Sequence, residues 1–329
     1  MTAQVKIISG KYRGTTITNT VFPMLRPVVQ GAKGDFITVD ASEKLGAKYS
    51  KIRIMVDDYE YVGEEVKIER KETDEQIIKR IEERFEILDE MTRATVNGDV
   101  RAMIVTGPPG VGKSFGVERE LEKSGLLDDM VGRPRKYEVV KGAMTPIGLY
   151  CKLYEYSDKN NVLVFDDCDS VLMDDLSLNI LKAALDSSKR RTIHWNADSH
   201  KLRNEGVPNS FDFKGSVIFI TNVKFDNVRS LKLKDHLEAL MSRCHYLDLT
   251  LDTMRDKYLR IKQIARSGGL FTSYGLDKQQ ENEIIDFMKT NQTRLREMSL
   301  RMAIKLADLR RMSPNRWQGI AENTCMKSR

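Results

Sequence analysis

Eight residues, GPPGVGKS from Gly107 to Ser114, constrain this chain more than any other stretch. They follow the apolar run AMIVT (Ala102 to Thr106) and precede a segment patterned as a helix from Lys113 to Ser124, with Gly125 as its expected stop. Glycines at 107, 110 and 112 let consecutive backbone N–H groups curl around phosphate oxygens, and the following helix turns its positive end toward the same charge. The spacing therefore predicts a P-loop: Gly107, Pro108, Pro109, Gly110, Val111, Gly112, Lys113, Ser114 and Phe115 embrace a nucleoside triphosphate. Lys113 is expected to pair with the β and γ phosphates, and Ser114 to ligate Mg²⁺.

A P-loop needs a sheet to hang from, and the surrounding pattern supplies one. The runs AMIVT, YEVV (Tyr137 to Val140), NVLVFDD, SVIFITN and HYLDL alternate with helical segments near 146–157, 176–186 and 233–243. Alternation of this kind predicts an α/β core with a five-stranded parallel sheet covered on both faces. Ahead of it, Asp74 to Val96 carries apolar residues at helical spacing and reads as a linker helix. Up to about Val66 the chain is instead a series of short β-rich runs broken by Gly and Pro, which predicts a small barrel of about five strands. Within it VKIISGKYRGT (Val5 to Thr15) resembles the KOW motif of SH3-like barrels. After Leu251 three amphipathic helices, near 253–267, 277–290 and 294–311, read as a helical lid. The expected organisation is thus a barrel over 1–66, the α/β core with its linker helix over 67–251, and the lid with a C-terminal tail over 252–329.

Two strand ends carry polar residues where ligands bind in open α/β sheets. NVLVFDD delivers Asp166, placed to hold Mg²⁺, and Asp167, placed to polarise an attacking water; the bland reading of such a pair is a loop start or helix cap. SVIFITN ends on Asn222, either a turn former or an amide that positions the water near the γ-phosphate.

The order P-loop, acidic strand, polar-tipped strand, Ser-Arg-Cys (Ser242 to Cys244), fifth strand and helical lid resembles the AAA+ ATPases over about Asp74 to Arg311, with a look closest to those encoded by bacteriophages. In the clamp-loader branch the Ser-Arg-Cys run carries an arginine that reaches the neighbouring subunit's ATP. The resemblance implies Arg243 as that arginine finger, although a solvated arginine at a helix end is the plain alternative. It further implies ATP with Mg²⁺ as cofactors and assembly into a ring, expected to be a hexamer. The start MTAQVKIISGKYRG lacks the apolar stretch of a secretion signal, so a cytoplasmic location is expected, that of the bacterial host if the chain is phage-encoded. The lid segment EMSLRMAIKLADL looks like the family's sensor 2 helix, implying that Arg301 touches the γ-phosphate, with Arg294 and Arg296 as nearby competitors. One departure is Asp167, which stands where the family places a glutamate; its shorter arm makes slow hydrolysis, or an ATP-gated scaffold with little turnover, the alternative activity. Lys141 to Thr145, KGAMT, lies where many AAA+ rings have a pore loop and lacks the aromatic residue that unfoldases use.

Charge and composition bear on partners. With 40% hydrophobic and 31% charged residues and a net charge of +6, the chain is globular, and no apolar run reaches the length of a membrane span, so no membrane partner is expected. Basic residues outnumber acids before Asp57 and recur from Arg294 to Arg316, a distribution that permits nucleic-acid contact. Within 187–213, Lys189, Arg190, Arg191, His194, His200, Lys201 and Arg203 surround Trp195. That mixture suits phosphate contact with base stacking, and suits equally a solvated hairpin whose Trp195 packs on the core. The partners expected are other copies of the chain, nucleic acid through the barrel or the 187–213 stretch, and a protein client bound to it. The four cysteines, Cys151, Cys168, Cys244 and Cys325, show neither metal-ligand nor pairing spacing and read as small core residues.

Overall fold

The structure, a computed structural model, describes residues 4–31, 34–46, 49–62, 72–223, 225, 231–267 and 269–327. The chain divides into two compact units, Met1–Glu72 and Thr73–Arg329. The boundary expected at 66 lies outside the described residues.

The first unit is a closed antiparallel barrel of β1 (Gln4–Tyr12), β2 (Thr15–Gly31), β3 (Gly34–Val39) and β4 (Ile52–Val62), with the single-turn helix α1 (Ser42–Leu45) between the last two. Among the described residues four strands stand where about five are expected. Pro23 and Pro27 read as strand breaks, but β2 continues through both, with register shifts in its pairing to β3 after Met24 and Arg26. Alternation then sorts the side chains: Val5, Ile7, Ile37, Val39, Ile52, Ile54 and Val56 fill the interior.

The second unit opens with α2 (Asp74–Val96), whose N-terminus is closed by a capping box between Thr73 and Gln76. Then follow β5 (Ala102–Thr106), α3 (Lys113–Met130), β6 (Tyr137–Lys141), α4 (Pro146–Glu155), β7 (Val162–Asp166), α5 (Asp169–Leu172) and α6 (Asp175–Ala184). A small insertion of β8 (Thr192–His194), α7 (His200–Asn204) and β9 (Ser210–Asp212) precedes β10 (Ser216–Thr221), α8 (Leu231–Met241) and β11 (His245–Asp248). The lid comprises α9 (Met254–Ser267), α10 (Lys278–Thr290), α11 (Leu300–Met312) and a short α12 (Trp317–Thr324) absent from the expectation.

The five expected strands form one parallel sheet in the order β11-β5-β10-β7-β6. Their wholly apolar runs are explained by burial on both sides. Met103 and Val105 of β5, Val162 and Val164 of β7, and Ile218 and Ile220 of β10 join one core with α2, α3 and the lid helices. The alternate residues Ile104, Leu163, Phe165, Val217 and Phe219 join a second core with α4, α6 and α8. Stacked rings of Phe165 and Phe219, 5.4 Å apart, anchor that second core, and burying each such side chain contributes roughly 2–3 kcal/mol. The lid therefore shares a continuous core with one face of the sheet.

Gly125 does not end α3, which runs five residues further. A Cβ there would sit 2.9 Å from the Tyr137 ring, so the glycine admits a close aromatic neighbour instead. Likewise α11 begins only at Leu300, capped by Ser299, because Leu295 is drawn into a bridge with Met326.

Candidate nucleotide site at the strand ends

All five residues of β5 are buried, and the chain leaves the sheet at Gly107. Gly107 has φ +148°, and a Cβ on it would lie 3.1 Å from the backbone carbonyl of Leu249. Gly110, at φ +70°, is pressed against the lid: a Cβ there would meet the Ser299 Cβ at 2.8 Å and the Arg301 Cγ at 3.6 Å. Only glycine combines that backbone with that proximity. The lid is tied to the same turn by the main chain, the Leu300 N–H donating to the Gly110 carbonyl at 2.8 Å.

Lys113, on the first turn of α3, is 6% exposed. Its ammonium donates to the Gly107 carbonyl at 2.7 Å, the Pro108 carbonyl at 3.0 Å and the Asn222 Oδ1 at 2.8 Å. Burial pulls its pKa down to about 8; the carboxylates of Asp167 and Asp166 oppose that, and the Arg301 guanidinium adds to it. Beside it the Ser114 hydroxyl donates to Asp166 Oδ1 at 2.9 Å. Asp166 ends β7 between β10 and β6 and is buried, and its other oxygen lies 3.4 Å from Lys141 Nζ, which also donates to Glu118 at 2.6 Å. A hydroxyl and a carboxylate converging beside this glycine-rich turn are hard oxygen donors of the kind that suit Mg²⁺.

Asp167 has a left-handed backbone, φ +54°, fixed by its N–H donating to the Ile220 carbonyl at 3.0 Å. Its exposed carboxylate accepts from the Asn222 amide at 2.9 Å, so Asn222, one residue past β10, bridges Lys113 and Asp167. Of the three candidates Arg294, Arg296 and Arg301, Arg301 is the one that reaches the turn. Arg294 faces Asn291, and Arg296 donates to the Met326 carbonyl. Val111 is buried, while Phe115 is 65% exposed beneath the Arg119 guanidinium.

Arg243 is elsewhere. It precedes β11, whose first residue pairs with Met103 at the start of β5, so it stands at the end of the sheet opposite the P-loop. Its Nη1 donates to the Ala239 carbonyl at 2.5 Å, its Nη2 lies 3.9 Å from Asp186, and its Nε is buried without a partner.

Two neighbours of the site escaped sequence reasoning. Lys141 reads as the head of a loop, yet the parallel register of β6 and β7 sets it directly beside Asp166. Arg260 of α9 lies 3.5 Å above the Phe85 ring, close to Gly112, and its burial lowers its pKa to about 10. The first signal was the equal length of two consecutive strands; the second had none, because it joins α2, the P-loop and the lid across the fold.

In the 187–213 insertion, Trp195 is half-buried and packs against Tyr150, 5.6 Å between centroids, at the edge of the second core, which favours the hairpin whose Trp195 packs on the core over base stacking. Arg191 is buried, donating to the Ala184 and Gly215 carbonyls, and Arg190 and Arg203 pair with Asp212 and Asp198.

No protein-family model matches the chain. Over 327 residues, 96% of both chains, it is 34% identical to an uncharacterised 36.7 kDa protein from the nrdC-mobD intergenic region of Enterobacteria phage T4. The chain belongs to that phage protein's family. Its second unit has the AAA+ form of the P-loop NTPase fold, with the P-loop after the second strand of the β11-β5-β10-β7-β6 sheet. Solved structures that resemble this family member include the replication initiator DnaA bound to AMPPCP and single-stranded DNA, 13% identical with a TM-score of 0.40 over 72% of this chain. Another is the Aeropyrum pernix ORC2 protein in ADPNP and ADP complexes, 13% identical with a TM-score of 0.41, matching 82% of this chain and 71% of that one. This chain spans 63% of the DnaA chain. Among the described residues no helix is long and apolar enough to cross a membrane.

Proposed function

We propose that the chain is an AAA+ ATPase that binds and hydrolyses Mg-ATP at the interfaces of a ring, expected to be a hexamer, and uses the turnover to remodel or load onto nucleic acid or a protein bound to it. The observation that carries this reading is the Lys113–Asn222–Asp167 chain beside the Ser114–Asp166 pair, with Arg243 at the far end of the same sheet. Lys113 is in position to exchange its backbone partners for phosphate oxygens. Asn222 and Asp167 orient the attacking water, Asp167 drawing on its proton. Arg301, held against Gly110, senses the γ-phosphate from within the chain. Ser114 and Asp166 would hold magnesium, which would supply positive charge for the transferring phosphoryl group. Arg243 stands too far along the sheet to serve its own P-loop and is assigned to the neighbour's.

A second reading, an ATP-gated scaffold with little turnover, draws on the short Asp167 side chain. The two readings separate in one assay. Turnover that rises with protein concentration and disappears in Lys113→Ala and in Arg243→Ala is expected. Mixing Arg243→Ala with Asp167→Asn subunits should restore activity, because the first keeps an intact P-loop side and the second an intact arginine. Failure of the mixture to recover, or an Arg243→Ala protein of unchanged turnover, would remove the intersubunit site.

A further inference from the structure

The barrel has an outer surface that the nucleotide site does not use. On β2, β3 and β4 the register aligns Arg26 with Thr38 and Thr38 with Arg53, one row running across three strands. The neighbouring row aligns Val29 with Phe36 and Phe36 with Met55, about 7 Å away by strand geometry. Alternation turns Ile37 and Ile54 inward, so these two rows face outward. Between them lies a groove of about 450 Å³, lined by Arg26, Val29, Phe36, Thr38, Lys51 and Arg53 among others, with three cations and, among the described residues, no carboxylate. Arg26, Lys51 and Arg53 are exposed, Val29 is 52% exposed, and the Arg53 guanidinium lies over the Phe36 ring, 4.7 Å from its centroid.

We infer that this groove binds single-stranded nucleic acid, with Arg26 and Lys51 on the phosphates and the Arg53–Phe36 pair as a platform for an unpaired base. The inference deepens the nucleic-acid reading above and rests on it. Cations without a neutralising carboxylate in the groove call for a polyanion, and every phosphate neutralised releases counterions. The apolar row calls in addition for flat faces that can leave water. A duplex hides its base faces within its own stack, whereas a single strand offers phosphate and base at the separation of the two rows. DNA and RNA share this chemistry.

The test is fluorescence anisotropy of the full-length protein with labelled dT20, rU20 and a hairpin duplex across a salt series. Single strands are expected to bind tighter than the hairpin, with whichever of dT20 and rU20 binds better naming the sugar. Arg26→Gln/Lys51→Gln should lower the slope of log affinity against log salt by about 1.4, two phosphates at roughly 0.7 each. Phe36→Ala should weaken binding about tenfold with the slope unchanged. Lys6→Gln/Lys44→Gln, an equal charge loss elsewhere on the barrel, should change the slope little. Single-strand binding that survives both groove variants overturns this site and leaves the nucleic-acid reading standing. Equal affinity for the hairpin, or equal competition by poly-glutamate, overturns the single-strand assignment. A protein that binds none of the three probes at low salt removes the nucleic-acid reading and this site together.

Discussion

The side-chain amide of Asn222 donates to the carboxylate of Asp167 at 2.9 Å, joining the ends of two adjacent strands above the P-loop. Because the same amide accepts from Lys113, the carboxylate proposed to orient the water is coupled to the lysine proposed to bind phosphate through one residue. Asn222→Ala is expected to lower ATP turnover by about 10²-fold while leaving nucleotide affinity within a few-fold, because it frees the Asp167 carboxylate and the water from the geometry Asn222 holds. Steady-state hydrolysis set beside fluorescent-nucleotide binding checks the split.

Asp167 should respond in both directions. Asp167→Asn abolishes turnover if it orients the water, whereas Asp167→Glu, extending the carboxylate by one methylene, should raise kcat by on the order of tenfold, because small misplacements of a reacting group cost large factors. A glutamate variant slower than the parent would mean that the left-handed backbone at φ +54° has already adapted the site to the shorter side chain.

Lys113 carries a pH dependence. Its pKa in the free protein is about 8, below the ordinary lysine value because burial disfavours the charge, and a bound polyphosphate restores the charged form. Nucleotide binding above pH 8 must therefore take up a proton, and affinity should fall about tenfold per pH unit from pH 8 toward 10. Stability of the free protein runs the other way: an unfolded lysine holds its proton to higher pH, so stability contributed at this residue rises with pH from about 8 to the ordinary lysine range. Calorimetry in buffers of different ionisation enthalpy reads the proton uptake directly.

Lys141 competes for Asp166. Its ammonium lies 3.4 Å from the oxygen that Ser114 does not use. Lys141→Met is expected to lower the Mg²⁺ concentration for half-maximal activity by about two- to fivefold, the scale of a half-exposed ion pair. A magnesium titration at saturating ATP decides it, and an increased requirement would mean that Lys141 orients the carboxylate.

The main-chain tie between lid and P-loop can be cut with one substitution, which also takes the Leu300 side chain from beside Gly112. Leu300 is the first residue of α11, where proline is tolerated, and Ser299 before it is extended at φ −152° and ψ 162°, as a residue preceding proline prefers. Leu300→Pro removes the N–H that Gly110 accepts without breaking the helix. Nucleotide affinity should drop about three- to tenfold, the worth of one backbone hydrogen bond, with α11 retained by circular dichroism.

What could be read from the sequence was what depends on neighbours in the chain. The P-loop, the apolar strands and the acids ending β7 are each contiguous, and the parallel sheet follows from their alternation. Reading failed where a distant contact decides the local choice. Gly125 continues a helix because Tyr137 needs the space, β2 passes through two prolines because the barrel closes around it, and Leu295 leaves the helical pattern to pair with Met326. Trp195 was ambiguous for the same reason, its partner Tyr150 being 45 positions earlier in the chain.

Placing the P-loop and Arg243 at opposite ends of one sheet has an arithmetical consequence for any assembly in which they meet. Each copy then offers a giving end and a receiving end, so the contact is head-to-tail and a twofold pair cannot be self-complementary through it. An open arc of such copies holds one complete site fewer than it has members, and only closure makes the two numbers equal. Maximal hydrolysis per chain would then mark the moment of closure, and adding one blocked copy would subtract whole sites.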